Sequence, residues 1–138
     1  MSSKGLKKIK VLVNASTCII GGGIQVAVSF IIESINNDNY DYLYAVSEPV
    51  FNNLKKSIQT KKNIKLVTPS PSKLIAGIKP RERILKMENY FKPDIVFSVF
   101  GPSYIKFSGK HLCGFADGWV THMSRIAYNS LTLSQKIM

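Results

Sequence analysis

The stretch that decides the fold is Ile9-Lys10-Val11-Leu12-Val13-Asn14, followed by a loop over residues 15–20 and then by Gly21-Gly22-Gly23. Leucine and β-branched residues fill the first run, which has the length and apolar density of a strand buried on both faces. The glycines then open a helix expected to reach about residue 36. Within it Val28, Ile31, Ile32 and Ile35 recur at spacings of three and four, and Ile24, Ala27 and Phe30 widen the apolar arc. A helix so patterned lies against a sheet.

The same alternation continues outward from this unit. Asn36-Asn37-Asp38-Asn39 ends the helix, and residues 42–46 read as a second strand. Glu48-Pro49 begins a second helix expected to run to about residue 59, with proline in the first turn, where its missing N–H costs nothing. Residues 64–67 form a third strand, residues 69–72 a turn, and residues 73–76 a single helical turn. From Pro80 another helix places Ile84, Met87 and Phe91 on one side, and Lys92-Pro93 ends it. Asp94-Ile95-Val96-Phe97-Ser98-Val99-Phe100 is the clearest strand, stopped by Gly101-Pro102. A last strand is expected over residues 111–115, then irregular chain after Trp119 and a helical tail over residues 132–138. Parallel neighbours need a crossover, so the pattern predicts an α/β fold, a Rossmann-like parallel sheet with helices on both faces.

A chain of 138 residues matches one domain with one core. The longest apolar-rich stretch, residues 21–35, is broken by Gln25, Ser29, Glu33 and Ser34, which marks a buried helix and not a bilayer span. The basic N-terminus lacks the apolar segment and cleavage site of a secretory signal, so a cytoplasmic protein is expected. Cys18 and Cys113 belong to no paired motif and read as buried, reduced thiols. His111 and His122 have no metal-ligand partner at helical spacing, and no metal is expected. The net charge of +11 is concentrated: residues 55–92 hold eleven of nineteen basic residues against Glu82 and Glu88 alone. That bias suits an anionic neighbour such as a nucleotide phosphate or the headgroups of an anionic membrane, or else a solvated basic surface. Without an ordered aromatic platform, nucleic acid is not an expected partner.

In open α/β sheets ligands bind beyond the carboxyl ends of the strands, which points to residues 14–23, 47–49, 68–72, 101–104 and 116–122. Gly21, Gly22 and Gly23 stand where a loop becomes a helix. There absent β-carbons let a ligand approach the main chain, and free N–H groups favour an anion. The glycines also suit a tight turn and close helix packing. No Gly-Lys-Ser/Thr follows, which excludes a Walker loop, and the seven residues from Asn14 to Ile20 that precede the glycines fit the dinucleotide fingerprint poorly. A second constellation joins Gly101, Pro102, Ser103 and Tyr104 to Gly114, Phe115, Ala116, Asp117, Gly118 and Trp119. Aromatic faces cover the apolar side of a sugar ring while a carboxylate accepts from its hydroxyls. The same residues also suit packing on the domain rim, with Asp117 capping a turn.

At these residues the chain resembles the N-terminal domain of retaining glycosyltransferases of the GT-B fold, the bacterial group that builds capsule, lipopolysaccharide and exopolysaccharide. The likeness is carried by the first strand, the triple glycine, the run Lys92-Pro93-Asp94-Ile95-Val96, and residues 111–119. It implies a donor diphosphate facing Gly21, Gly22 and Gly23, and an acceptor held by Ser103, Tyr104, Asp117, Gly118, Trp119 and His122. It further implies a nucleotide sugar as substrate with no separate cofactor, a glycan or lipid-linked acceptor, and peripheral contact with the inner face of the cell membrane. The family's second, donor-binding domain is not contained in these residues, so the chain is expected to be one half of a larger enzyme. Many members place a histidine directly before the aspartate, where Ala116 stands here, and catalytic residues stay unassigned. A non-catalytic Rossmann-like module binding an anionic ligand or a protein partner is the alternative.

Overall fold

Five strands lie side by side in the order β3-β2-β1-β4-β5, all parallel, in a computed structural model that describes residues 7–115. They are β1 (Ile9–Ala15), β2 (Tyr40–Val46), β3 (Ile64–Leu66), β4 (Ile95–Ser98) and β5 (His111–Cys113). Four helices connect them: α1 (Gly22–Ser34), α2 (Glu48–Asn53), α3 (Lys56–Gln59) and α4 (Ile78–Phe91). The Rossmann-like parallel sheet expected from the alternation is present. The expected helical tail lies outside the described residues. No helix among the described residues is long and apolar enough to cross a membrane.

Alternate residues of the strands feed two separate cores. Val11, Val13 and Ala15 of β1 face the same side as Tyr44 and Val46 of β2, and against them pack Ala27, Val28 and Ile31 of α1 with Val50, Leu54 and Ile58. Leu12, Leu43, Ala45 and Val96 face the other side and meet Ile84 of α4, joined by Ile105 and Phe107 from the β4–β5 connection. Helices therefore cover both faces, as a parallel sheet requires. The apolar face of α1 is narrower than its sequence suggested: Ile32 is exposed, while Ser34 is buried. A helix turns about 100° per residue, so with Ile31 at the centre of the contact its neighbour Ile32 swings outward. Ser34 is accommodated because its hydroxyl donates to the Phe30 carbonyl at 2.6 Å and lies 2.8 Å from the phenol oxygen of Tyr44. Burial pushes the Tyr44 phenol up to about 12.

The expected single helix over residues 48–59 is two helices. Leu54 and Lys55 are extended (ψ 147° and 146°), which drops the Leu54 side chain into the core. The carbonyls freed by the break are met by Gln59, whose amide donates to Phe51 and Leu54 oxygens at 2.7 and 2.9 Å. Helix α4 starts at Ile78, two residues before Pro80, which sits in the first turn. The strands expected over residues 94–100 and 111–115 each pair over a shorter span.

One buried carboxylate was not anticipated. Glu88 of α4 is only 4% exposed, and one of its oxygens accepts from the Ser108 N–H (2.9 Å), the Ser108 hydroxyl (3.0 Å) and the Gly109 N–H (3.0 Å). It pins the β4–β5 connection to the helix beneath. Glu88→Ala should lower unfolding stability by about 2–4 kcal/mol, because it removes three bonds at a buried site. Urea denaturation measures this, with Glu88→Gln expected to lose less, since its amide oxygen still accepts.

Candidate functional site

The sheet order creates one place where the connections diverge. From β1 the chain leaves through α1 on one face, and it enters β4 through α4 on the other, so the topological switch point, where open parallel sheets bind ligands, lies at the carboxyl ends of β1 and β4. The strand ends there are polar. Asn14 of β1 donates through its amide nitrogen to the Ser98 hydroxyl of β4 at 3.2 Å, and its amide oxygen accepts from the Ser16 N–H at 3.2 Å and from the Ser16 hydroxyl. Ser98 in turn lies 2.8 Å from Nε2 of His111 on β5. Asn14, Ser16 and Ser98 are fully buried, and each meets its polar needs within this chain of bonds.

The loop over residues 15–20 is held down by its neighbours. The Ser47 hydroxyl donates to the Cys18 carbonyl at 2.6 Å while accepting the Val50 N–H as the cap of α2. The Ser70 hydroxyl donates to the Ser16 carbonyl at 3.3 Å, and Thr17 to the Phe100 carbonyl at 3.4 Å. Three of the loops expected at the ligand edge are thereby joined through side-chain hydroxyls. Cys18 is buried, and burial pushes its thiol up to about 11, which makes it a packing residue and not a nucleophile. Cys113 is half-buried, and neither cysteine is bridged.

The three glycines serve three different purposes. Gly21 has φ +63°, a conformation that side chains resist. A β-carbon at Gly23 would stand 3.2 Å from the Phe100 ring, so helix and β4 approach closely there. Gly22 has neither constraint: a β-carbon would meet nothing within 4 Å, and the residue is exposed. The N–H groups of Gly22 and Gly23 find no acceptor among the described residues, and no acid occupies the first turn of α1. Such a helix start attracts negative charge.

The acceptor-side residues divide. Ser103 is buried, and its hydroxyl donates to the Ile105 carbonyl at 3.0 Å and accepts the Ile105 N–H, so it shapes its own loop. Tyr104, at φ 58°, projects into solvent. Asp117, Gly118, Trp119 and His122 lie outside the described residues. Gly101 and Gly114 are explained by close packing: a β-carbon at Gly101 would collide with the Cys113 sulfur and one at Gly114 with the Val99 carbonyl, while their N–H groups donate to the Gly114 and Ser98 carbonyls at 3.0 and 2.9 Å. The residues that sequence reasoning missed are Asn14, Ser98 and His111 acting together, which only strand pairing makes neighbours. In comparisons with known proteins, no family model, curated protein or solved structure matches this chain.

A separate hollow of ≈ 440 Å³ lies at the opposite, amino ends of β2 and β3, beside α4. Leu43, Tyr42 and Phe91 line it together with Lys62, Lys65 and Lys86. The sheet topology favours the carboxyl edge as the candidate site, because the switch point and the unmatched N–H groups of Gly22 and Gly23 both lie there.

Two measurements check this description. Gly21→Ala should destabilise the fold by about 1–3 kcal/mol, because it forces a side chain into a positive-φ extended conformation (φ 63°, ψ −153°) open essentially to glycine alone. Gly22→Ala should be neutral or stabilising by up to about 1 kcal/mol, since alanine is the better helix former. Thermal unfolding of the two variants separates them. Burial also holds the His111 imidazole below its ordinary range, opposed by the Glu88 carboxylate. The unfolded chain therefore takes up that proton first, so the His111 contribution to stability is complete above about pH 6.5 and is lost on acidification below it. His111→Asn should flatten the decline in stability on acidification below about pH 6.5.

Proposed function

We propose that this chain is the acceptor-side half of a glycosyltransferase of the GT-B type, working with a second domain that carries most donor contacts. In this reading a nucleotide sugar is the donor, its diphosphate meets the start of α1, and a glycan or lipid-linked acceptor enters over Tyr104 and residues 117–122. The single observation that carries it is Gly22, a glycine that neither backbone strain nor packing demands, with open space above it and unmatched N–H groups beside it. Ligand approach gives that absence of a side chain a purpose. The departing diphosphate would be stabilised by those N–H groups and the helix dipole. The chain of bonds from the buried Ser16, Asn14 and Ser98 to the exposed His111 would keep the strand ends rigid while the second domain closes.

The test uses pyrophosphate as the probe and the amide resonances of the ¹⁵N-labelled chain as the readout. Saturable shifts should appear at Gly22, Gly23 and Ile24, and Gly22→Val should abolish them while leaving the melting temperature near its original value. Gly22 is the informative position, because a side chain at Gly23 would collide with Phe100 and confound binding with folding. Shifts confined to surface lysines would refute the diphosphate assignment.

One observation favours a second reading, a non-catalytic module that binds an anionic ligand. The hollow beside α4 sets Lys62, Lys65 and Lys86 around apolar walls against one lining acid, Asp41, and none of the three lysines joins an ion pair among the described residues. Pyrophosphate shifts centred on Lys62, Lys65 and Lys86, with none at the start of α1, would favour that module.

A further inference from the structure

The segment Lys73-Leu74-Ile75-Ala76-Gly77-Ile78-Lys79 joins β3 to α4 at the carboxyl edge of the sheet. Leu74 is 88% exposed and Ile75 85%, and Ile78 is half-exposed beside them. Isolated exposed aliphatic residues are ordinary, but three together on one turn between two lysines are not.

This tip is built. The N–H of Lys73 donates to the Ser70 carbonyl, that of Gly77 to the Lys73 carbonyl, and that of Ile78 to the Ile75 carbonyl, at 3.1, 3.1 and 3.2 Å. The Arg81 guanidinium reaches back from α4 and donates to the Pro71 and Lys73 carbonyls, both at 2.8 Å. Gly77 is buried so tightly against the Lys73 and Pro71 carbonyls that no side chain fits there. The main chain is thus fixed in a shape that turns Leu74 and Ile75 outward, and ordering them in advance lowers the entropic cost of inserting them elsewhere.

The surrounding charge selects what they insert into. Lys73, Lys79, Arg81 and Arg83 stand on or next to the tip, while Glu82 is the one nearby acid in sequence, since Glu88 is buried beneath Ser108 and Gly109. Apolar side chains ringed by cations suit an anionic lipid surface: the aliphatic groups enter the acyl boundary and the lysines stay among the headgroups. An acidic protein surface would satisfy the lysines but leave Leu74 and Ile75 without an apolar seat.

We infer that the tip formed by Lys73, Leu74, Ile75, Ile78 and Lys79 is an insertion element that docks this protein on an anionic lipid surface. Basic charge over residues 55–92 attracts the whole domain, whereas the tip fixes which edge meets the bilayer. That edge is the one carrying the candidate site, because Ser70 at the base of the tip is bonded to the Ser16 carbonyl in the loop after β1. Docking by the tip stands on the loop alone. Its consequence, that the acceptor is lipid-linked and not a free glycan, rests on the proposed sugar transfer.

Flotation of the full chain with phosphatidylcholine vesicles, with and without about 30% phosphatidylglycerol, tests docking without reference to turnover. Binding to the anionic vesicles is expected, weakening as salt rises. Leu74→Ser combined with Ile75→Ser should reduce it at least about tenfold, with an unchanged melting temperature because both side chains are exposed. Lys73→Glu combined with Lys79→Glu should weaken binding and flatten its salt dependence. Equal binding of the wild type and the Leu74→Ser, Ile75→Ser variant would overturn the insertion, as it would show that diffuse charge alone suffices. Absence of binding to either vesicle would overturn it too, and would assign the tip to a protein contact. Vesicle binding without pyrophosphate shifts at α1 would keep the docking and remove only the sugar-transfer reading.

Discussion

Everything in this domain depends on β1 being hydrogen-bonded on both edges and covered on both faces. Its main chain pairs with β2 over residues 9–15 and with β4 over residues 11–14, so from Val11 to Asn14 the strand has no free edge and is buried, while Ile9 at its start stays exposed. A strand in that position must be apolar nearly throughout, and its parallel neighbours can be reached only by crossovers on one face or the other. With α1 on one face and α4 on the opposite one, the connections part above β1 and β4. The topological switch point follows from that parting, and no additional element is needed to make it.

The polar residues at the end of β1 show how such a strand stops. Asn14 would be a poor choice at a fully buried position if its amide were unmatched, since an unpaired buried polar group costs free energy on the order of 1–3 kcal/mol. Here every polar atom of that amide faces Ser98 or Ser16, and the chain of bonds extends to His111. Glu88 does similar work on the α4 face by gathering the N–H groups of Ser108 and Gly109. Ser47 and Ser70 tie down the loop after β1. Short hydroxyl and amide side chains, more than charged pairs, hold the carboxyl edge in shape. The salt bridge found among the described residues, between Lys8 and Asp38, is exposed, which is the situation in which ion pairs contribute little.

The arrangement separates two surfaces by chemistry. At the carboxyl edge, unmatched main-chain donors at the start of α1 adjoin a preformed apolar turn. At the amino edge, lysines surround an apolar hollow. One positive net charge thus has two quite different local expressions, and a count of basic residues does not distinguish them.

The succession of strands and helices was legible in the sequence, because burial on both faces leaves a dense apolar run at β1 and β4, and amphipathic helices leave a period of three and four. The triple glycine was legible as a point of interest for the same local reason: missing side chains are visible without coordinates. What could not be read was which glycine is constrained by what: no residue type announces the positive φ of Gly21, and the nearness of Phe100 to Gly23 joins positions seventy-seven residues apart. The break at Leu54, the outward turn of Ile32 and the burial of Glu88 escaped for the same cause. Sequence by itself determined the order and kind of the elements, through local periodicity and backbone chemistry. Tertiary structure alone decided which polar groups meet, because Asn14, Ser98 and His111 become neighbours only when β1, β4 and β5 pair in register.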